Sequence, residues 1–479
     1  MQAIPPTLQQ SLAARLDRLG SAREVAQIGA VLGRDFSYSV LLDVAEIDES
    51  ALKASLERLA DADLVFVEGA PPLARYRFKH ALIQDAAYDS QLKSRRQALH
   101  RRAAEVLQGG ASTEPEAIAH HFTKAGLDDL AIEWWGKAGD QALRRSAFQE
   151  AIAHLGKAIA MADRAGGGRA TGASGERRHL RVAYGNALIA TRGYGAAETT
   201  EAFARVRESA FGDKDAPERL AAHYGLWAGS LVCGELSAMR EHSTAFLSDV
   251  AANPDSPEAG VAHRTAGITH WFAGEYAGAR KHLERALALF QPGRDDDLAF
   301  RFGNDAGVAA MHYLALTLWP MGDVGRAVSL VGGAEARVAD LAHIATRAYG
   351  KSHTVRFELM RGDLSRAALE AVELARLTRE HALPIWRAAY GIFFDGLASA
   401  QRDTAGGGLE GMRRGIELLR EQNVLIFDGL LKIALAEAEA RAGDVDRALA
   451  TLNEALATWS GPVTAPSKRN CIASLEKLC

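Results

Sequence analysis

Trp271-Phe272-Ala273-Gly274-Glu275-Tyr276-Ala277-Gly278-Ala279 decides the fold of this chain: a Gly, an acidic residue, and an Ala five positions after the Gly. The phrase returns as Gly322-Asp323 with Ala327, Gly362-Asp363 with Ala367 and Gly443-Asp444 with Ala448. Weaker echoes stand at Gly126/Ala131 and Gly234/Met239. Successive spacings of roughly 35 to 50 residues are those of helical-hairpin arrays.

Around Gly274 the frame is that of a tetratricopeptide repeat. Gly267 takes the small position of the first helix, and Ala279, Leu283 and Ala286 fall at the consensus spacings of the second. Ala436, Gly443, Ala448, Leu452 and Ala455 repeat the frame, as do Ala119, Gly126, Ala131, Trp135 and Ala138. Small residues let two helices approach closely, a Leu or aromatic fills the gap, and Gly permits the tight turn between them. Leu283, Ala286, Leu287 and Phe290 recur at helical spacing as one buried stripe. The expectation is seven or so hairpins, coiled as a right-handed superhelix with a concave inner face. Such arrays make extended binding surfaces, not catalytic pockets.

Breaks are expected at 165–178, where Gly, Ser and Arg replace the apolar period, and at Asn253-Pro254-Asp255-Ser256-Pro257, Pro292-Gly293-Arg294-Asp295 and Ala405-Gly406-Gly407-Gly408. The first hundred residues follow another pattern. Leu8, Leu12, Leu16 and Leu19 mark one helix, and Val25, Ile28, Val31 and Leu32 a second. A third covers Tyr38 to Ala45, and a fourth starts after Asp48 and carries Leu52, Leu56 and Leu59. Leu64 to Val67 then reads as a strand, Gly69-Ala70-Pro71-Pro72 as a turn, and Tyr76-Arg77-Phe78 as its returning partner. Helices followed by one β-hairpin and another helix are the order of a winged-helix domain. The predicted fold class is therefore all-α: a tetratricopeptide-like α-solenoid preceded by a small winged-helix domain with one β-hairpin. The expected boundaries are 1–108 for that domain, 109–164 for the first hairpins, 165–178 for a linker, 179–460 for the array and 461–479 for a divergent tail.

Of 479 residues, 56 are Lys or Arg and 60 Asp or Glu, so no global charge draws the chain to nucleic acid or anionic lipid. Glu46, Asp48, Glu49, Glu57, Asp61 and Asp63 outnumber Lys53 and Arg58 on the would-be recognition helix, which argues against DNA. Lys93, Arg95, Arg96, Arg101 and Arg102 read as the wet face of a later helix. Cys233, Cys471 and Cys479 lack metal-type spacing and suit reduced thiols in a cytoplasm. No apolar run reaches transmembrane length. Adjacent His120 and His121 point to different sides of a helix and find no third ligand in the sequence, so a place in the first hairpin is expected of them rather than a metal. Asp295-Asp296-Asp297 reads as a solvated loop. Most of Trp134, Trp135, Trp227, Trp271, Trp319, Trp386 and Trp459 should be core, with one or two lining a groove. No nucleophile elbow appears, and no catalytic or metal-binding residue is assigned.

Phe78-Lys79-His80-Ala81-Leu82-Ile83-Gln84-Asp85-Ala86-Ala87-Tyr88 resembles the Met-His-Asp segment that ends the winged helix in signal-transduction ATPases with numerous domains, the STAND proteins. That resemblance implies that His80 reaches the phosphates of ADP on a neighbouring ATPase domain and latches the resting state; Ala81 stands where the family has Asp. The alternative is that His80 merely caps the following helix.

Ile4 to Gln9, Ala14 to Leu19, Ala26 to Phe36, Phe78 to Leu82 and Phe302 to Val308 together are similar to a bacterial family. Its members join a class III adenylate/guanylate cyclase domain, a STAND-type ATPase and a tetratricopeptide-like array. No Gly-x-x-x-x-Gly-Lys-Ser/Thr loop is present, and the nearest tract, Gly166 to Gly172, lacks the Lys. The resemblance thus implies a non-enzymatic regulatory region, either a natural stand-alone protein or part of a longer one, that carries no cofactor itself. ATP or ADP would enter only with an upstream ATPase domain. Expected partners are a protein or peptide on the array and ATPase and cyclase domains in cis or in trans. The rival expectation is a transcriptional regulator that puts the winged helix on DNA, with the array as its sensor.

Overall fold

A computed structural model describes residues 15–110, 114–166, 178–210, 218–381, 392–402 and 407–458. Leu8, Leu12, most of the expected linker, Trp386, Trp459, Cys471, Cys479 and the expected tail lie outside the described residues. Contacts divide the chain into two units, residues 1–139 with 154–169, and 140–153 with 170–479.

The first unit opens with α1 (Ser21–Leu32), β1 (Asp35–Ser37), α2 (Tyr38–Ala45), α3 (Glu49–Asp61), β2 (Val65–Glu68) and β3 (Arg75–Phe78). It continues with α4 (Ala81–Asp89), α5 (Lys93–Gln108) and α6 (Pro115–Ala125). Helix α3 starts where a short acceptor can satisfy its open N–H groups: the Asp48 carboxylate accepts from Ser50 and Ala51 N–H. Leu52, Leu56 and Leu59 then face a core with Val25, Ile28, Leu41 and Phe78. The sheet holds three strands, not the single hairpin expected, in the order β1-β3-β2 and antiparallel throughout. Three residues are too few to show alternation. What makes Asp35–Ser37 a strand is tertiary: the Phe36 ring stacks on Tyr76 at 5.8 Å and lies against Gly29, where a Cβ would come within 2.8 Å of it.

Most of the cations weighed for DNA are committed locally. Lys53 pairs with Glu49, and Arg58 donates to Ser21 and Ser55. Arg95, Arg96, Arg101 and Arg102 pair with Glu24, Asp89, Glu105 and Glu46.

Helices α7 (Asp128–Arg144) and α8 (Phe148–Gly166) follow, and the division into units falls within both. In the second unit, seven helix pairs follow one another among the described residues. They are α9 (Arg178–Arg192) with α10 (Ala197–Ser209), α11 (Glu218–Cys233) with α12 (Leu236–Asp249), and α13 (Pro257–Phe272) with α14 (Tyr276–Leu289). After the short α15 (Leu298–Arg301) come α16 (Ala306–Leu318) with α17 (Val324–Asp340) and α18 (Ile344–Arg361) with α19 (Leu364–Glu380). The last are α20 (Ile392–Arg402) with α21 (Gly407–Glu421) and α22 (Asp428–Arg441) with α23 (Val445–Thr458).

The recurring Gly phrase is a helix-stop and helix-start in one. Gly274 takes φ +76°, its N–H donates to Trp271 C=O, and Glu275 N–H reaches back to His270 C=O. Glu275 C=O then accepts from Ala279 N–H, the first bond of the next helix. A left-handed residue closing a helix with a six-to-one bond needs a residue without a Cβ. The same three bonds recur at Gly126, Gly234, Gly322, Gly362 and Gly443. The residue five after each (Ala131, Met239, Ala279, Ala327, Ala367, Ala448) is fully buried, because it is where the second helix crosses the first. Gly267 shows how close that crossing is: a Cβ there would stand 2.6 Å from Leu283 Cγ.

Of Asp295-Asp296-Asp297, only Asp295 departs from the solvated loop expected: it is buried and paired with the adjacent Arg294. Asp296, half-exposed, pairs with Arg337, and the exposed Asp297 with Arg144.

Candidate functional site

The first helix of each pair turns one side to its own partner helix and the other to a shared interior. Helix α16 shows the consequence, with every residue but Met311 buried. A helix apolar all round is one packed on all sides. Within the second unit these first helices enclose a cavity of about 80 Å³, lined from α9, α11, α13, α16 and α18. Leu425 and Ile426 N–H both donate to Val232 C=O at 2.8 and 3.1 Å, which seats Val424 and Phe427 on the lining.

The lining is aromatic and cationic. Arg264, on α13, is 1% exposed and Arg356, on α18, 2%. Arg264 Nη1 donates to Asn304 Oδ1, and its Cζ lies 5.0 Å from the centre of the Tyr224 ring. Arg264 Nε and Nη2 are buried with no hydrogen-bond partner among the described residues. Arg356 Cζ stands 3.8 Å from the Phe427 ring centre, a cation–π contact, and its Nη1 is 3.2 Å from His353 Nε2. Among the described residues no Asp or Glu lines the cavity.

Burial sets the charge of the other groups. His353 Nδ1 lies 3.0 Å from Tyr349 C=O and must donate to it, which leaves Nε2 to accept from Arg356. Burial first, then the Arg356 charge, holds His353 well below the usual imidazole range. His312 repeats the arrangement, with Nδ1 2.9 Å from Val308 C=O and Nε2 3.2 Å from Thr354 Oγ1, and burial lowers it to about 4. Tyr194 and Tyr349 are pushed well above the usual phenol range, chiefly by burial, so both keep their O–H. The Arg264 charge acts on both hydroxyls in the opposite sense, which places them around that guanidinium. The cavity can therefore offer N–H and O–H donors and net positive charge.

Sequence reasoning did not find this site. Its signal was an Arg at an inward position of a nearly apolar helix, Ala262-His263-Arg264-Thr265-Ala266 and Thr354-Val355-Arg356-Phe357. Of the tryptophans, Trp227 lines the cavity, and Trp135 and Trp271 are buried.

The residue that sequence did single out, His80, occupies the N-cap position of α4. Its side chain makes no capping bond and is exposed. His120 and His121 part as expected: His120 is exposed, whereas His121 Nδ1 meets His100 Nδ1 at 2.9 Å, and His100 Nε2 meets Tyr88 O–H at 2.9 Å. Among the described residues no group of three His, Cys, Asp or Glu is placed to hold a metal.

Burial lowers His100 to about 3 and His121 to about 4, each aided by neighbouring positive charge. Both are thus neutral in the fold and take up protons on unfolding below the free imidazole value near 6.5. Stability from this pair is complete above pH ~6.5 and falls as pH drops toward 4. In an NMR titration the ring protons of His100 and His121 should stay flat from pH 8 to about 5. A shift centred near 6.5 would show that the two rings are open to water.

No protein-family model matches the chain. An uncharacterized protein of Rhizobium meliloti (strain 1021) is 26% identical over 458 residues, covering 93% of this chain. The chain spans 43% of the length of that relative. Among solved structures, a STAND protein with a tetratricopeptide repeat sensor from Pyrococcus horikoshii aligns with 100% of this chain and 68% of its own, with a TM-score of 0.51 and 10% identity. The chain has the fold of a tetratricopeptide-like helical solenoid that follows a small sheet-bearing helical head.

Proposed function

We propose that this chain is the non-catalytic regulatory and interaction region of a STAND-type signalling ATPase linked to cyclic-nucleotide synthesis. The observation that carries the reading is the alignment of the whole chain with a STAND protein that has a tetratricopeptide repeat sensor. The head, a winged helix in its order of elements, docks on an ATPase domain in the same chain or in another. Its apolar tip supports that role: Phe66, Val67 and Leu73 are exposed on the β2–β3 hairpin, and the exposed His80 follows β3 directly. His80 is the proposed sensor of bound ADP. The array binds a protein or peptide and shifts the resting and active states by preferring one of them. The link to a cyclase rests on the sequence resemblance, as does a cytoplasmic location. No described helix is long and apolar enough to cross a membrane.

ATP or ADP titrated into this chain should give no heat of binding and no turnover. Micromolar nucleotide affinity or hydrolysis would refute the division of labour. When the chain is joined to a STAND-type ATPase domain, His80→Ala should speed ADP release roughly tenfold or more, the worth of one hydrogen bond to a charged oxygen. An unchanged rate removes His80 from the switch.

A further inference from the structure

We propose that the inner cavity of the array is a receptor site for a small organic oxyanion, a carboxylate or phosphate head on an apolar body, with Arg264 as its principal anchor and Arg356 as a second cation. This rests on reading the array as the sensing half of a switch and names the signal its interior takes; protein partners are left to the outer faces.

The unused edge of Arg264 is the first argument. Nη1 is occupied by Asn304, while Nε and Nη2 have no partner among the described residues. Those two N–H groups form the side-on fork of a guanidinium, which fits the two oxygens of a carboxylate or phosphate in parallel. A guanidinium is always charged, and a buried charge calls for a counter-charge. Among the described residues the cavity wall offers no carboxylate. Buried water could occupy the N–H groups but would leave the charge unmatched.

The surroundings select the rest of the ligand. Tyr194 and Tyr349 keep their hydroxyl protons, so neither becomes an anion that would answer the guanidinium. His353 is fixed as a neutral ring with its Nε2 turned to Arg356, so it adds neither a competing cation nor a counter-ion. Trp227, Ile268, Tyr313 and Phe427 supply the apolar wall. About 80 Å³ is roughly half of the ~150 Å³ that takes a benzene ring, so the space suits a head group on a short chain. Phe427 ties occupancy to structure, since it sits beneath Arg356 on the segment that Val232 holds shut.

The test uses the full chain with propionate, methyl phosphate and uncharged propionamide as probes, followed by calorimetry and by melting temperature. At least one anion at up to about 10 mM should bind and raise the melting temperature by ~2 °C or more, while propionamide does not. Which anion binds separates carboxylate from phosphate. Arg264→Met should weaken that binding at least tenfold, and the variant without ligand should melt no lower than the parent, because it removes a charge the fold does not pair. Silence from both anions overturns the proposal, as does anion binding that survives Arg264→Met. A variant that melts several degrees lower also overturns it, since Arg264 would then be a structural group satisfied by water. Failure here with a silent ATP titration leaves the switch reading in place. Nucleotide binding that persists in Arg264→Met sinks the switch reading and leaves the cavity proposal standing.

Discussion

Replacing Arg337 by Met should cost the second unit about 3–5 kcal/mol, because it strands a buried carboxylate. Arg337 Nη2 donates to Asp305 Oδ2 at 2.7 Å and to Asp296 Oδ1 at 2.5 Å. The Asp305 side chain has no exposure to solvent. Its Oδ1 accepts from Val308 N–H at 2.8 Å and caps α16, and its own N–H donates to Thr346 Oγ1. One side chain thus starts α16, while its charge is balanced from α17. Without the guanidinium the carboxylate must stay buried unpaired or take up a proton that the cap disfavours. Urea unfolding followed by circular dichroism reads the loss. Asp305→Asn in the Arg337→Met background should recover much of it, because the neutral amide still caps and carries no charge. A loss below ~1 kcal/mol for the single change would make the pair worth no more than a surface bridge. Two arginines of one array, Arg264 and Arg337, should respond oppositely to the same substitution, because only Arg337 has a carboxylate to answer.

Phe203→Ala should cost a comparable amount, about 3–5 kcal/mol, through the cavity it leaves. The Phe203 ring lies between two glycines on neighbouring first helices: a Cβ on Gly185 would meet it at 2.8 Å and one on Gly225 at 2.3 Å. It clusters with Ile189 and Leu226. Helices spaced to clasp a ring cannot close the gap when it is gone, since each is also held by its next neighbour. Hydrogen exchange of α9–α11 amides should quicken by roughly two to four orders of magnitude, while amides of the first unit hold their rates. Gly225→Ala alone should also destabilise, by pushing a methyl into the ring, yet it should be mild or helpful beside Phe203→Ala. Additive losses in the double variant would mean that the glycine and the ring do not share the space.

How much of this could be read beforehand varied with the range of the interaction. The start of α3 after Asp48, the bounds of α2 and the six Gly turns are local: a carboxylate caps its own helix, and a left-handed φ excludes a Cβ within a few residues of chain. β1 was not legible, because Asp35–Ser37 becomes a strand only when Arg75–Phe78 arrives beside it, some 40 positions later. Asp295 was misplaced for a related reason. In a run of three aspartates nothing local marks out the one that the loop folds inward beside Arg294. The link from His121 to His100 was invisible too, because the two rings come from different helices.

By itself the sequence determined the hairpin, its turn and its repeat, since each follows from backbone freedom and from which residue must be small where two helices cross. Only the tertiary structure decided what the interior of the array is. Arg264 and Arg356 lie 92 positions apart on helices that meet solely through the stacking of hairpins. Whether a charge stands in water or in a closed aromatic cavity depends on what the remainder of the chain packs against it, a sum of long-range contacts that no local pattern encodes.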